Sequence, residues 1–121
     1  MRTDPAKRLT ILSDAEKRAL YGRPDFDEFQ RAEYFALTEA ELHLVQARQG
    51  TMEQVYCLLQ LGYFKAKQAF FRFTGSEVPP EDLAFILSRY FPGVVLNLHP
   101  IRENEVYAQR GAITDYFGFR L

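Results

Sequence analysis

Residues 51–66 constrain the fold of this chain more than any other segment. Their apolar side chains recur at the i, i+3, i+4 spacing of a helix, which Thr51 is expected to cap. The members of this stripe are Met52, Val55, Tyr56, Leu59, Tyr63 and Ala66. Leu58 and Leu61 widen the stripe until it covers most of the helix circumference. A helix that is apolar on most sides is usually buried, so this segment predicts the central helix of a bundle.

The charge at the end of this segment is unbalanced. The whole chain carries a formal charge of −1, yet no acid occurs between Glu53 and Glu77. Lys65, Lys67 and Arg72 lie in that interval among large apolar side chains. A face that binds nucleic acid needs local positive potential rather than a high overall pI, because the screening length is only about 8 Å at physiological salt. The middle third of the chain is therefore the candidate for an anion-binding surface.

Capping-box patterns mark the start of three helices in the first half of the chain. In each, a short polar residue is followed three positions later by Glu, so that the two residues satisfy each other's backbone N–H groups. The pairs are Ser13 with Glu16, Asp25 with Glu28, and Thr38 with Glu41. They predict helices that end near Tyr21, that run through residues 25–35, and that stop at Gly50.

The second half of the chain predicts two more helices. Residues 74–80 form a break, and a helix over residues 81–91 is ended by Pro92 and Gly93. A last helix runs from about residue 102 to residue 116, with Gly118 as its stop. No strand pattern of any length is found. The sequence thus predicts an all-α, compact bundle of five or six helices, with residues 1–12 as a flexible N-terminal arm and residues 13–121 as a single helical domain.

Sequence signatures of catalysis are missing. The chain has no GxGxxG, P-loop, HExxH or EF-hand pattern, and His43 and His99 have no partner at metal-ligand spacing. Cys57, the single cysteine, falls on the apolar helix and is expected to be a buried, inert thiol. We expect no enzyme activity, no metal and no cofactor. A lone cysteine and the lack of a signal peptide or an apolar run long enough to span a membrane predict a cytoplasmic protein without a membrane partner.

Residues 38–64 have the outline of a helix-turn-helix pair, in which two helices are joined by a short turn containing Gly. In that interpretation the cations Arg48, Lys65, Lys67 and Arg72 contact phosphates, whereas Thr51 and Gln54 in the first turn of the second helix lie near the bases. The same outline suits almost any all-α domain. From these residues alone, a protein-interaction module is about as well supported as a DNA-binding one.

Several segments, in order and spacing from about Leu12 to Arg120, resemble the N-terminal domain of the transposases of Tn-three-type replicative transposons. The first matching features are Tyr21, an acid-rich helix after it that ends in Tyr34-Phe35-Ala36-Leu37, and an acid-bearing helix to Gly50. The LLQLGYFK segment with Lys65 and the pair Val78-Pro79 follow. The last is RENEVYAQRGAITDYFGFR, with Arg102, Ile113 and Gly118-Phe119-Arg120.

The resemblance implies a non-catalytic module that binds double-stranded DNA at transposon terminal inverted repeats, in the nucleoid of a bacterial cytoplasm. Catalysis in such transposases belongs to an acidic, metal-binding triad much further along the chain. Arg102, Arg110 and Arg120 then form a second set of expected DNA contacts, and other transposase domains or subunits are expected partners. The alternative is a protein-interaction or regulatory module, such as a truncated relative that tempers transposition.

Overall fold

The computed structural model describes residues 22–118, and within them it contains five α-helices and no strand. The helices are α1 (Glu28–Tyr34), α2 (Glu39–Gln46), α3 (Thr51–Lys67), α4 (Pro80–Tyr90) and α5 (Glu103–Phe117), and a 3-10 turn (Gly75–Glu77) precedes α4. The prediction of a compact all-α fold is confirmed. The N-terminal arm, the helix expected between Ser13 and Tyr21, and Arg120 lie outside the described residues.

Helix α3 is the centre of the bundle, as its apolar sequence predicts. Every residue from 55 to 64 is buried, and α1, α2 and α5 contact this helix. Ile86 of α4 and Ile113 of α5 are fully buried in the same core. Burying an apolar side chain of this size contributes roughly 1.5–3 kcal/mol, so this one helix supplies much of the stability of the fold.

An aromatic cluster closes the core beside α3. The rings of Phe26, Phe35 and Tyr63 lie 5.3–5.7 Å apart, at the distance of offset or edge contacts. The ring of Phe35 approaches the backbone of α3 so closely at Gly62 that a Cβ atom there would overlap it. Gly62 is therefore required by a close approach, and α3 continues through it to Lys67.

A buried charge network joins three helices. Asp82 of α4 is fully buried and accepts hydrogen bonds from the Tyr63 hydroxyl (2.7 Å) and from Nε of Arg31 (2.8 Å). Burial raises the pKa of Tyr63, and the neighbouring Asp82 carboxylate raises it further. The phenol thus stays protonated and donates to the carboxylate at all physiological pH values.

Of the two predicted capping boxes within the described residues, one is confirmed and one is wrong. Thr38 and Glu41 form the predicted capping box, with bonds of 3.1 and 3.0 Å. The predicted box of Asp25 and Glu28 is wrong by two residues, because the box is formed by Asp27 and Gln30. Asp25 instead accepts a hydrogen bond from the Arg23 guanidinium (2.9 Å).

The junction between α2 and α3 also differs from the prediction. Helix α2 ends at Gln46 rather than at Gly50, and Gly50 is the N-cap residue of α3, with a φ of 103° that favours glycine. Thr51 is the first helical residue and does not cap the helix with its side chain. The ends of α4 and α5 lie within one residue of their predicted positions, and Gly118 ends α5 with a φ of 74°.

Candidate nucleic-acid interface

Lys65, expected to contact phosphate, is held inside the bundle. Its ammonium group donates to the carboxylate of Glu41 (3.1 Å) and to the carbonyl oxygen of Ala36 (3.1 Å). The side chains of Lys65 and Glu41 are only 17% and 6% exposed. Lys65 therefore joins α3 to α2 and to the segment before it, which argues against a role as a free phosphate ligand.

Arg48 is also engaged in an ion pair. Its Nε lies 3.0 Å from Oε2 of Glu105, and this contact connects the turn after α2 to α5. Arg48 precedes α3, whereas Lys65 lies in its last turn, so the length of the helix, about 25 Å at 1.5 Å per residue, separates them. The structure therefore does not bring Arg48 and Lys65 close together.

Of the N-terminal and central parts of α3, only the first turn is accessible for contacts with DNA bases. Thr51 is exposed, and Gln54 is partly exposed while its amide donates to the carbonyl oxygen of Arg48 (3.0 Å). From residue 55 to residue 64 the helix is buried on all sides, so it has no long face that could lie in a groove of DNA. The predicted base contacts of Thr51 and Gln54 stay predictions, confined to this one turn.

A groove of about 380 Å³ lies between residues 71–77 and α5. Its apolar walls are mostly aromatic, and they are formed by Tyr56, Phe71, Phe73, Ile101, Val106 and Tyr107. The rings of Tyr56 and Phe73 are stacked, with centroids 5.7 Å apart and planes 5° from parallel. Polar side chains complete the lining, namely Gln60, Arg72, Thr74, Glu77, Glu103 and Arg110. The groove thus combines flat apolar surface with charged groups at its edge.

Two of the expected DNA-binding arginines line this groove. Nε of Arg110 donates to Oε1 of Gln60 (3.2 Å), and its guanidinium lies over the rings of Phe70 (5.4 Å) and Tyr107 (5.6 Å). Cation–π contacts and a neutral acceptor leave the positive charge of Arg110 uncompensated. Arg72 is exposed at the edge of the groove.

Arg102 is exposed as the N-cap residue of α5, between the groove-lining residues Ile101 and Glu103. The ion pairs among the described residues involve Arg23, Arg31, Arg48 and Lys65, and none involves Arg72, Arg102 or Arg110. The structure therefore brings Arg72 of the first predicted set together with Arg110 of the second, whereas Arg102 does not line the groove. Lys67 is exposed at the far end of α3 and does not line the groove.

The two acids in the groove limit its positive potential. Glu77 accepts a hydrogen bond from the backbone N–H of Thr74 (2.8 Å), and its hydrogen bonds with Thr74 lower its pKa. Its carboxylate therefore stays ionised. Glu103 is exposed and lies 3.5 Å from the hydroxyl of Tyr107, at the limit of a hydrogen bond. Both carboxylates repel an anion that approaches the arginines.

Tyr56 contributes an unusual polar group to the groove. The residue is 5% exposed, and its buried hydroxyl has no hydrogen-bond partner among the described residues. Burial raises the pKa of Tyr56, so the group is a neutral phenol that can donate one hydrogen bond. A buried hydroxyl without a partner costs about 1–3 kcal/mol, so a ligand atom that accepted from it would recover part of that energy.

The aromatic residues near the end of α3 contribute to both the core and the groove. Tyr63 and Phe64 are buried in the core, and Phe71 and Phe73 pack against it. Phe71 and Phe73 also line the groove, together with residues from α5. Because α5 begins about 30 residues later in the chain, no local pattern could bring these residues together.

Three further properties of residues 22–118 concern metal ligands, the cysteine thiol and the length of the apolar helices. Residues 22–118 hold no cluster of three or more His, Cys, Asp or Glu side chains that could bind a metal ion. Burial raises the pKa of Cys57 to about 12, so the sulfur is a thiol at neutral pH. None of the described helices is both long enough and apolar enough to cross a membrane.

The described fold and groove define a small all-α domain with an arginine-flanked aromatic site. Residues 11–121 match the model of a family described as a domain of unknown function (DUF4158), and the chain belongs to this family. No curated protein and no solved structure shows significant similarity to the chain.

Proposed function

We propose that this domain is a non-catalytic DNA-binding module. The observation that carries the proposal is that Arg72 and Arg110 line one aromatic groove and that the exposed Arg102 lies in the chain between two residues that line it, with no ion pair for any of the three among the described residues. Arginine suits phosphate because its planar guanidinium presents several N–H donors in a fixed geometry. Aromatic side chains between such cations are typical of surfaces that contact nucleic acid.

The number of these arginines sets the expected strength of binding. Each phosphate neutralised on duplex DNA contributes a slope of about −0.9 to the dependence of log K on log salt. Three contacts give a slope of about −3, far below that of large DNA-binding proteins. A single module should therefore bind weakly and depend on neighbouring domains for full affinity.

The resemblance to the N-terminal domain of Tn-three-type transposases supplies the finer proposal. In that interpretation the duplex is a terminal inverted repeat, and the first turn of α3 provides base contacts through Thr51 and Gln54. The buried remainder of α3 would then serve as the support for that turn. Other domains or subunits of a transposase would supply catalysis and the remaining phosphate contacts.

Fluorescence anisotropy tests this proposal directly. A labelled duplex carrying a transposon terminal inverted repeat is compared with a shuffled duplex of equal composition, at about 50 and about 200 mM salt. Tighter binding to the repeat, falling steeply with salt, would support a sequence-reading module. Equal binding to both duplexes would restrict the proposal to phosphate recognition.

A protein-interaction module is the second candidate, and one observation favours it. Phe29 on α1 is 87% exposed and Val95 in the connection before α5 is 94% exposed. Large apolar side chains in such positions are suited to a protein partner. No binding to either duplex at the lower salt concentration would favour this candidate over DNA binding.

A further inference from the structure

We infer that the aromatic groove between residues 71–77 and α5 holds one unpaired nucleotide, whose base lies against the aromatic walls and whose phosphate lies on the arginines. The inference rests on the proposed DNA-binding function, and it specifies which structural form of DNA the domain binds. The module would then prefer DNA in which a base is extrahelical or a strand is frayed over fully paired duplex.

The size of the groove limits what can enter it. Ligand pockets usually measure about 300–1,000 Å³, and this groove, at about 380 Å³, is at the lower end of that range. A base pair within a stacked duplex cannot enter a space of this kind, and proteins that take a base into a pocket must first unstack it. Duplex DNA can therefore contact the rim, whereas only a single unstacked nucleotide can occupy the interior.

The walls suit the face of a base. Tyr107 is 51% exposed although it lines the groove, so about half of its surface is available for contact. Phe73, whose ring stacks on the nearly buried ring of Tyr56, adds a second aromatic side chain to the lining. Every base has a π-face, so aromatic side chains bind unpaired bases with little dependence on sequence.

The polar groups suit the remainder of a nucleotide. Arg72 and Arg110 provide positive charge at the groove without a competing ion pair among residues 22–118. The buried hydroxyl of Tyr56 offers a hydrogen-bond donor that no described residue accepts. The carboxylates of Glu77 and Glu103 can accept hydrogen bonds, and bases carry N–H donors on their pairing edge whereas phosphates carry none. An unpaired base leaves those N–H groups accessible, whereas a paired base does not.

The test uses the full chain and two labelled duplexes. They differ in one extra nucleotide, a 2-aminopurine that forms a single-nucleotide bulge in one of them. Anisotropy measures affinity, and 2-aminopurine fluorescence reports whether the base stacks on an aromatic ring. We expect the bulged duplex to bind at least about five-fold more tightly, with quenched fluorescence, because base–aromatic stacking typically contributes a factor of this size or more.

Two tyrosines on α5 provide the variant and its control. Tyr107 lines the groove, whereas Tyr116 is 42% exposed and does not line it. We expect Tyr107→Ala to abolish the preference for the bulge and Tyr116→Ala to retain it. Because both side chains are largely at the surface, neither substitution should unfold the domain, and circular dichroism checks this.

The outcomes separate the inference from the proposed function. Equal binding to the paired and bulged duplexes, or a preference that survives Tyr107→Ala, would overturn the inference and leave duplex binding intact. The absence of binding to either DNA would overturn both. Binding to the bulged duplex alone would support the inference and contradict recognition of paired repeats.

Discussion

Lys65 and Glu41 form an ion pair between the last turn of α3 and the first turn of α2, with the ammonium nitrogen 3.1 Å from the carboxylate oxygen. Glu41 also closes the capping box at the start of α2. One carboxylate thus fixes the first turn of α2 and ties that helix to the last turn of α3. This relationship changes the expected role of Lys65 from phosphate contact to structural support.

Removing the ammonium group of Lys65 should therefore affect stability rather than DNA binding. We expect Lys65→Met to lower the free energy of unfolding by about 1–3 kcal/mol, because Glu41 is left nearly buried without its cation. Lys67→Met, at the exposed end of the same helix, should cost at most about 1 kcal/mol. Urea denaturation measures both. Equal effects of the two substitutions would show that the ion pair does not stabilise the contact between α2 and α3.

Asp82 provides a second test of the buried polar contacts. Asp82→Ala removes the common acceptor of Tyr63 and Arg31, so a buried phenol loses its partner and a partly buried guanidinium keeps only its bond to the carbonyl oxygen of Phe26. We expect a loss of about 3–5 kcal/mol in the free energy of unfolding. The adjacent Glu81 is exposed, and Glu81→Ala should cost about 1 kcal/mol or less. A small loss for Asp82→Ala in urea denaturation would contradict the network's structural role.

Two helical glycines should respond to alanine with opposite signs. A Cβ at Gly62 would overlap the Phe35 ring, whereas a Cβ at Gly111 would meet no atom within 4 Å. We expect Gly62→Ala to destabilise the domain by about 1–3 kcal/mol through overpacking. Gly111→Ala should stabilise it by about 0.5–1 kcal/mol, because alanine is the better helix former. Thermal unfolding monitored by circular dichroism gives both signs, and stabilisation by Gly62→Ala would exclude the described contact with Phe35.

The sequence predicts a structural feature well when the residues that form it are close together in the chain. The apolar stripe over residues 51–66 predicts the buried central helix because burial repeats with the period of the helix itself. Thr38 and Glu41 predict their capping box for the same reason, since both partners lie in one turn. The box at Asp25 was misplaced because Asp25 bonds to Arg23, a competing partner that the spacing rule ignores.

The candidate site depends on contacts between distant residues, and the sequence predicts it less well. The sequence predicts Arg48 and Lys65 to be free cations because it does not reveal their acidic partners. Glu105 and Glu41 lie 57 and 24 residues away in the chain. For the same reason the convergence of Arg72 with Arg110 becomes visible only in the fold. Residues of the middle third form one side of the groove, but the groove also needs residues from α5, which no local pattern connects to them.

Glu103 should oppose the binding of fully paired duplex DNA at the groove, because a paired base offers it no accessible N–H donor. We expect Glu103→Gln to tighten binding by about two- to five-fold at low salt, because like-sign surface charges of this kind are worth roughly 0.5–1 kcal/mol. The gain should disappear at high salt, where exposed charges are screened. Anisotropy titrations at several salt concentrations measure it. Weaker binding by this variant at every salt concentration would show that Glu103 does not face the bound DNA.

The salt dependence of DNA binding by two arginine variants tests the central claim most directly. Arg72 and Arg89 are both exposed arginines without an ion pair among the described residues, but only Arg72 lines the groove. For Arg72→Gln we predict weaker binding to all duplexes and a slope of log K against log salt reduced by about one. Arg89→Gln should leave affinity and slope unchanged. Equal slopes for Arg72→Gln and the unaltered chain would contradict phosphate binding at this groove.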